Sequence, residues 1–480
     1  MHKLFFRIHF MKIEQIYTGC LAEAAYYIQS KGEAAIIDPL RETKPYIERA
    51  KNDNVEIKYI FLTHFHADFV SGHVDLAKKT GATIVFGPGA KGDFEFHEGE
   101  DEEIFNIGGA TLKLLHTPGH TMESSSYLLR DESGKDQCVF TGDTLFIGDV
   151  GRPDLAIKQG ILTEEDLAKY LYHSLRNKIM TLSDEVVIYP NHGAGSACGK
   201  NMSKETFDTL GNQKQTNYAL RANMSEDDFV KEVLTGLTAP PQYFPKNVMM
   251  NKGINLEFDT IVEQGTKALN VEDVLKLQED GALVLDVRTQ DDFTKEHIAG
   301  SIFIGLNGQF APWVGALIKD IDQKIILITP EGKEEEAVTR LSRIGYDNAQ
   351  GYLSGGVEVW KLAGYKTDSI HKVTAKEFEA AFNGGNIDIL DVRKKSEYDA
   401  EYVLGAINEP LDTIHKNLLN LNKEKTYYVH CAGGYRSVIF ESIAKANGIH
   451  NLIDVAGGFS AIKDETKLEK TEFVCPSTLA

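Results

Sequence analysis

The chain has 480 residues, 42% hydrophobic and 25% charged, with a formal net charge of −20. This acidity argues against a nucleic-acid partner, which needs a basic footprint, and no apolar run reaches the roughly 20 residues of a membrane-spanning helix. The five cysteines (Cys20, Cys138, Cys198, Cys431, Cys475) are scattered and form no Cys-x-x-Cys pair, so a reducing compartment and a cytoplasmic location are expected.

At the start of the chain, residues 1–10 are mildly basic and apolar. Arg7 breaks the run and no small-residue cleavage site follows, so a signal peptide is not expected. Met11 is a candidate start, which would make residues 1–10 an extension. Beyond it, four strand-like apolar runs each end in metal-ligand residues. They read Ile60-Phe-Leu-Thr-His64-Phe-His66-Ala-Asp68, Leu114-Leu-His-Thr-Pro-Gly-His120, Val139-Phe-Thr-Gly-Asp143 and Val187-Ile-Tyr-Pro-Asn-His192. Sheets collect chemistry at the carboxyl ends of their strands, where loops converge on one edge. A lone histidine is more often a satisfied core or surface residue. Four clusters in order are better explained by one shared metal ion.

Further along, a proline-rich piece at 239–253 is expected to follow an extended path, and a linker is expected around 254–268. Then a repeat begins. Ala282-Leu-Val-Leu-Asp286-Val-Arg288 recurs as Ile387-Asp-Ile-Leu-Asp391-Val-Arg393, and Tyr352-Leu-Ser-Gly355-Gly356 recurs as Asp454-Val-Ala-Gly457-Gly458. The spacing of roughly a hundred residues is that of a repeated domain. Each copy alternates short apolar runs with helical patterns, which predicts a small parallel α/β sheet.

The second copy contains Thr426-Tyr-Tyr-Val-His-Cys431-Ala-Gly-Gly-Tyr-Arg436-Ser437 ahead of a helical run. A cysteine between a strand end and a helix N-terminus feels the helix dipole and an inward-pointing amide nest, and both favour the thiolate. Gly433 and Gly434 permit the tight loop that aims those amides at the sulfur. The first copy reads Ile325-Ile-Leu-Ile-Thr-Pro330-Glu-Gly-Lys-Glu-Glu-Glu336 at the same place. It has no cysteine, and its glutamates would repel anions, so it is expected to be catalytically inert.

The order HxHxD, TPGHT, TGDTLF, NHG resembles the metallo-β-lactamase superfamily over roughly residues 11 to 255. Within it, two-metal hydrolases place a histidine directly after the motif aspartate, and here that position is Phe69. His73 is a poor substitute, because its segment is expected to start a helix. Two histidines and one carboxylate around one metal leave coordination positions open, as in non-haem Fe(II) oxygenases. The match extends through Phe146-Ile-Gly-Asp-Val-Gly-Arg152-Pro-Asp154 to the persulfide dioxygenase type. That resemblance implies His64, His120 and Asp143 as ligands of one Fe(II) per chain, with zinc as the alternative. His66, Asp68 and His192 would then support those ligands. Arg152 is a candidate for holding the anionic end of a thiol carrier, or else forms a structural ion pair with Asp154. Cys198, on a glycine-rich loop after His192, is a candidate to take up or relay sulfur. Cys20 and Cys138 are expected to be packing residues.

The repeated domains resemble the rhodanese family, on the Asp-Val-Arg and Gly-Gly signatures and a Cys431 loop with four residues before Arg436. Related phosphatases use five, and the tighter loop suits a sulfane sulfur. The resemblance implies Cys431 as the sulfur carrier and Arg436 as a residue that steadies the loop or the incoming anion. The expected fold class is α/β, an αββα metallo-β-lactamase sandwich followed by two rhodanese-like parallel α/β domains. The expected domains are 11–255, 268–368 (inactive) and 371–470 (active).

The whole order resembles the persulfide dioxygenase–rhodanese fusions of sulfide detoxification. It implies oxidation of a small-molecule thiol persulfide by oxygen to sulfite, and sulfur transfer through Cys431 to give thiosulfate. A homo-oligomer is the expected assembly. One alternative is a zinc-dependent glyoxalase II-type thioester hydrolase fused to a sulfurtransferase. Another is a sulfur-carrier hub whose rhodanese halves dock partners.

Overall fold

A computed structural model describes residues 11–157, 161–385 and 387–475, so the expectation for residues 1–10 lies outside the described residues. The chain divides into two compact units. The first runs to Phe258 and takes in Ser342–Gly345, and the second comprises Asp259–Leu341 and the chain from Tyr346 onward. Among the described residues, no helix is long and apolar enough to cross a membrane.

The first unit holds two mixed six-stranded sheets. One is built from β1 (Lys12–Thr18), β2 (Glu23–Ser30), β3 (Glu33–Ile37), β4 (Glu56–Phe61), β5 (Thr83–Phe86) and β6 (His97–Glu98), in that spatial order. The other is built from β7 (Ile104–Ile107), β8 (Ala110–His116), β9 (Ser125–Arg130), β10 (Asp136–Gly142), β11 (Val187–Pro190) and β12 (Asp208–Thr209). Strand side chains alternate between faces, and here both faces are covered. In β2, Tyr26 and Ile28 point into the core between the sheets. Ala25 and Tyr27 point outward beneath the helix Lys44–Asp53, whose Tyr46 and Ala50 lie one turn apart in the same cluster. In β9, Tyr127 and Leu129 face inward, while Leu128 faces outward with Leu171 and Phe229 of the helices Glu164–Ser174 and Glu226–Leu234. This is the αββα sandwich expected from the motif order.

Two stretches depart from expectation. Phe244–Lys252 is a helix, because Pro245 sits in its first turn, where a fixed φ and a missing N–H cost nothing. Phe258–Gly265 is also a helix, not a linker. Ile261 is buried, and Gly265 packs so closely that an added Cβ would lie 2.7 Å from Val338.

The second unit repeats one design. The first copy orders β13 (Ala268–Leu269), β18 (Ala349–Leu353), β17 (Ile325–Ile328), β14 (Leu283–Asp286) and β16 (Ile302–Phe303), with a small side pair of β15 (His297–Ile298) and β19 (Thr367–Asp368). The second copy orders β20 (His371–Val373), β24 (Leu452–Val455), β23 (Tyr427–His430), β21 (Asp388–Asp391) and β22 (Ala406–Asn408). All pairings within both five-stranded sheets are parallel. The repeated Asp-Val-Arg explains itself structurally. The Arg288 guanidinium chelates buried Asp286 and donates to the Glu296 carbonyl at 2.8 Å. Arg393 does the same with Asp391 and the Glu401 carbonyl.

The sandwich is also stitched across its sheets. The buried Tyr127 hydroxyl, on β9, donates to the Leu62 carbonyl just past β4 at 2.9 Å. Tyr127→Phe should leave that carbonyl unpaired and lower stability by about 1–2 kcal/mol, read from the urea midpoint with an unchanged far-ultraviolet spectrum. An unchanged midpoint would show that this bond contributes nothing to the fold.

Candidate functional site

Four strand ends of the sandwich converge as the sequence implied. His64 follows β4, His120 follows β8, Asp143 follows β10 and His192 follows β11. All four side chains are buried. One donor atom each from His64, His120 and Asp143 lies within 4.8 Å of the others. The Asp143 Oδ2 is 3.9 Å from the His64 Nε2 and 3.5 Å from the His120 Nε2, and its Oδ1 is 3.6 Å from the His192 Nε2.

Hydrogen bonds set which nitrogen each ring offers. The Thr63 hydroxyl donates to Asp38 at 2.9 Å, so it accepts from the His64 Nδ1 at 3.0 Å. The His120 Nδ1 donates to the Arg152 carbonyl at 2.9 Å. Each ring therefore turns its Nε2 lone pair toward Asp143. Burial, with His66, His120 and His192 nearby, holds the His64 pKa well below the usual imidazole range and keeps it neutral. The His64 Nε2 and both Asp143 oxygens have no hydrogen-bond partner among the described residues. Orphaned buried acceptors of this kind are costly, and a divalent cation would satisfy all three. The donor set thus fits a metal held by His64, His120 and Asp143.

Support comes from residues the motif search missed. Asp38 follows β3 with a φ of +48°. Its carboxylate accepts from the Thr63 amide at 2.8 Å and from the His66 Nε2 at 2.9 Å, and Asn191 lies 3.4 Å away. The signal was an acidic residue at the end of an apolar strand run. Asn251, on the helix Phe244–Lys252, donates to the His66 and Phe69 carbonyls at 2.8 and 2.7 Å and accepts from the Ser71 amide at 2.8 Å. It clamps the whole HxHxD loop. Gly151 passes so close to Asp143 that an added Cβ would lie 1.9 Å from its carbonyl oxygen, so no larger residue fits. Phe69 is fully buried and stacks on His66 with ring centroids 4.3 Å apart. His73 opens the helix His73–Thr80 and packs against Phe94, outside the ligand group.

Asp68, His192 and Cys198 form a second buried donor group. His192 Nε2 lies 3.3 Å from the Asp68 Oδ2. Burial opposes a charge on His192, but Asp68 and Asp143 outweigh it and raise its pKa well above the usual range. Burial also pushes the Cys198 thiol up to about 12, with Asp68 and Asp143 adding to the shift. Cys198 therefore stands here as a thiol, beside the candidate centre. Cys138 is a core residue between the sheets. Arg152 takes the structural role. Its guanidinium pairs with Asp154 at 2.7 and 2.6 Å and donates to the Thr238 and Ala197 carbonyls. These bonds engage all three of its nitrogens in bracing loops, the ion pair with Asp154 being one of its two expected roles.

In the second unit, Cys431 follows β23 and is buried ahead of the helix Tyr435–Ala446. Gly434 caps that helix with a φ of +97° and donates its amide to the Cys431 Sγ at 3.1 Å. Gly433 and Arg436 line the cavity over the sulfur. Arg436, expected to steady the loop or an anion, is chelated by Glu397 at 2.6 and 2.8 Å. In the first copy the corresponding loop is closed on itself. The Gly332 amide and the Thr329 hydroxyl both donate to the Glu334 carboxylate at 3.2 Å. Thr329 stands at the register position of Cys431, and the amide matching that of Gly434 serves a carboxylate where the second copy's serves sulfur.

Asp38→Ala should free His66 and Thr63 and weaken metal binding by about 10–100-fold, measured by competition with a calibrated chelator. Unaltered affinity would show that Asp38 plays no part in orienting the site.

Comparison with known proteins identifies the domains. Residues 18–192 match the metallo-beta-lactamase superfamily, and residues 270–363 and 374–465 each match the rhodanese-like domain. A metallo-beta-lactamase structure from Staphylococcus aureus subsp. aureus COL is 33% identical, covers 72% of this chain and 98% of its own, and superposes with a TM-score of 0.62. The human mitochondrial persulfide dioxygenase ETHE1 is 34% identical over 33% of this chain, which spans 59% of that protein. A hydroxyacylglutathione hydrolase from Pelagibacter ubique is 28% identical over 50% of this chain and 94% of its own. The chain belongs to the metallo-beta-lactamase superfamily, with its metallo-beta-lactamase domain followed by rhodanese-like domains.

Proposed function

We propose that the first domain is a single-iron dioxygenase that oxidises a small-molecule thiol persulfide to sulfite, and that Cys431 carries a sulfane sulfur to sulfite, giving thiosulfate. The observation that carries this reading is the group of two imidazoles and one carboxylate with Phe69 where a two-metal hydrolase would bring a histidine. A ferrous ion held by that group would supply open positions for oxygen and for sulfur. The chain's own residues do the positioning. Thr63 and the Arg152 carbonyl fix the two ring tautomers, Asp38 and Asn251 hold the loop, and the buried setting excludes water. The likeness to the human persulfide dioxygenase supports the reading. The proposal carries with it a cytoplasmic homo-oligomer working in sulfide detoxification.

At Cys431, the Gly434 amide donates to the sulfur at the N-terminal end of the helix Tyr435–Ala446. The first copy has no such atom and serves a structural role.

A second reading is favoured by the Asp68, His192, Cys198 group, which stands where a second ion would need donors. With hydroxyacylglutathione hydrolases among the relatives, it would be a two-metal thioester hydrolase fused to a sulfurtransferase.

Product analysis tests the proposal. Full-length protein given glutathione persulfide and oxygen should release mainly thiosulfate. Cys431→Ser should take up oxygen at the wild-type rate and release mainly sulfite. Thiosulfate from that variant at the wild-type level would point to another carrier. Phe69→His should raise zinc occupancy and lower oxygen uptake. If it leaves both unchanged, the residue at that position does not decide the metal.

A further inference from the structure

The first rhodanese-like copy lacks the chemistry of the second, yet its residues reach the second copy's cavity. A cavity of about 500 Å³ opens over Cys431, and two of its lining residues, Gln309 and Trp313, belong to the first copy. Pockets of this size accommodate organic molecules, which fill roughly 300–1,000 Å³. An inorganic sulfur anion would leave most of it empty.

The wall is fixed at both ends. At one end, the Tyr435 hydroxyl, next to the Cys431 loop, donates to the Gly305 carbonyl at 2.7 Å. The Phe303 amide donates to the Ser442 hydroxyl at 3.0 Å. Gly308 lies so near the Tyr435 ring that an added Cβ would be 2.3 Å from it. At the other end of the helix Phe310–Leu317, the His415 Nε2 donates to the Leu317 carbonyl at 2.8 Å. Trp313 sits on this pinned helix, 8% exposed. An indole offers a flat apolar face and one N–H, and the exposed Gln309 adds an amide that both donates and accepts. Elsewhere in the lining, Glu397 already neutralises Arg436, leaving Lys394 as the other cation. A bare dianion such as sulfite meets the Lys394 ammonium but makes no use of the apolar wall. An organic thiol with amide and carboxylate groups finds an apolar wall, an amide and an ammonium.

We propose that Trp313 and Gln309 form a subsite for the carbon body of an organic thiol persulfide, so that the first copy sets the donor preference of Cys431. In the step served, the Cys431 thiolate attacks the outer sulfur of R–S–SH. The new S–S bond forms as the old one breaks, and R–S⁻ leaves with the electron pair. The outer sulfur keeps its proton, so nothing is oxidised or reduced overall. This inference rests on the sulfur-carrier reading of Cys431.

The test uses the full-length protein and two donors, glutathione persulfide and thiosulfate. Loading of Cys431 is followed by intact mass, and kcat/KM is measured for each donor. Trp313→Ala should lower the ratio of organic to inorganic kcat/KM about tenfold, through KM, as truncation of an aromatic anchor does. Trp313→Phe should restore most of it, and Gln309→Ala, at an exposed position, should lower the ratio about threefold. If Trp313→Ala does not fold, the other variants decide the matter. A ratio that stays within about twofold of wild type in all folded variants overturns this inference alone. If the wild type loads Cys431 from neither donor, the carrier reading falls and this inference with it.

Discussion

The site in the first domain depends on one buried carboxylate. Asp38 stands at the end of β3 and gathers the Thr63 amide and hydroxyl and the His66 ring, with Asn191 close by. Those partners come from the ends of β4 and β11, so one side chain ties three strand ends together. Through Thr63 it also sets the tautomer of His64. A carboxylate shielded from water is stable only when its oxygens are paired, and here that requirement and the aim of the imidazoles are met by the same bonds.

The second unit shows how one fold is kept while its chemistry changes. Both copies retain the chelated Asp-Val-Arg arginine, the parallel strand order and the loop between a strand and a helix. The difference lies in what the loop amides serve. Around Cys431 they face sulfur, and in the first copy they face the Glu334 carboxylate. The first copy keeps its core and contributes, through Gln309 and Trp313, to the cavity of the second.

Much of this was legible in the sequence, and the reasons are physical. His64, His120, Asp143 and His192 could be found because apolar strand runs announce their own ends. The repeated Asp286-Val-Arg288 and Asp391-Val-Arg393 could be found because a buried chelate tolerates little change. Asp38 has the same kind of address as Asp143, an acid after Ile36-Ile37, but nothing in one-dimensional spacing marks it as the hub. Asn251 was hidden because the prolines around it suggested an extended chain, whereas Pro245 begins a helix that delivers Asn251 to the HxHxD loop. The helix Phe258–Gly265 looks like a linker in the sequence because its packing partners, Val338 and Ala349, lie far along the chain. The Arg152 pairing with Asp154 is readable in the sequence as one of two options, and its further contacts to Thr238 and Ala197 are not. The role of Trp313 depends on packing between repeats, which no motif encodes.

The proposed function requires that the His64, His120, Asp143 group hold one iron and use it on a persulfide. Iron and zinc analysis of anaerobically purified full-length protein, with oxygen uptake recorded on glutathione persulfide, tests it most directly. About one iron per chain and oxygen uptake that tracks iron content are expected. About two zinc ions per chain, with thioester hydrolysis and no oxygen uptake, would contradict it.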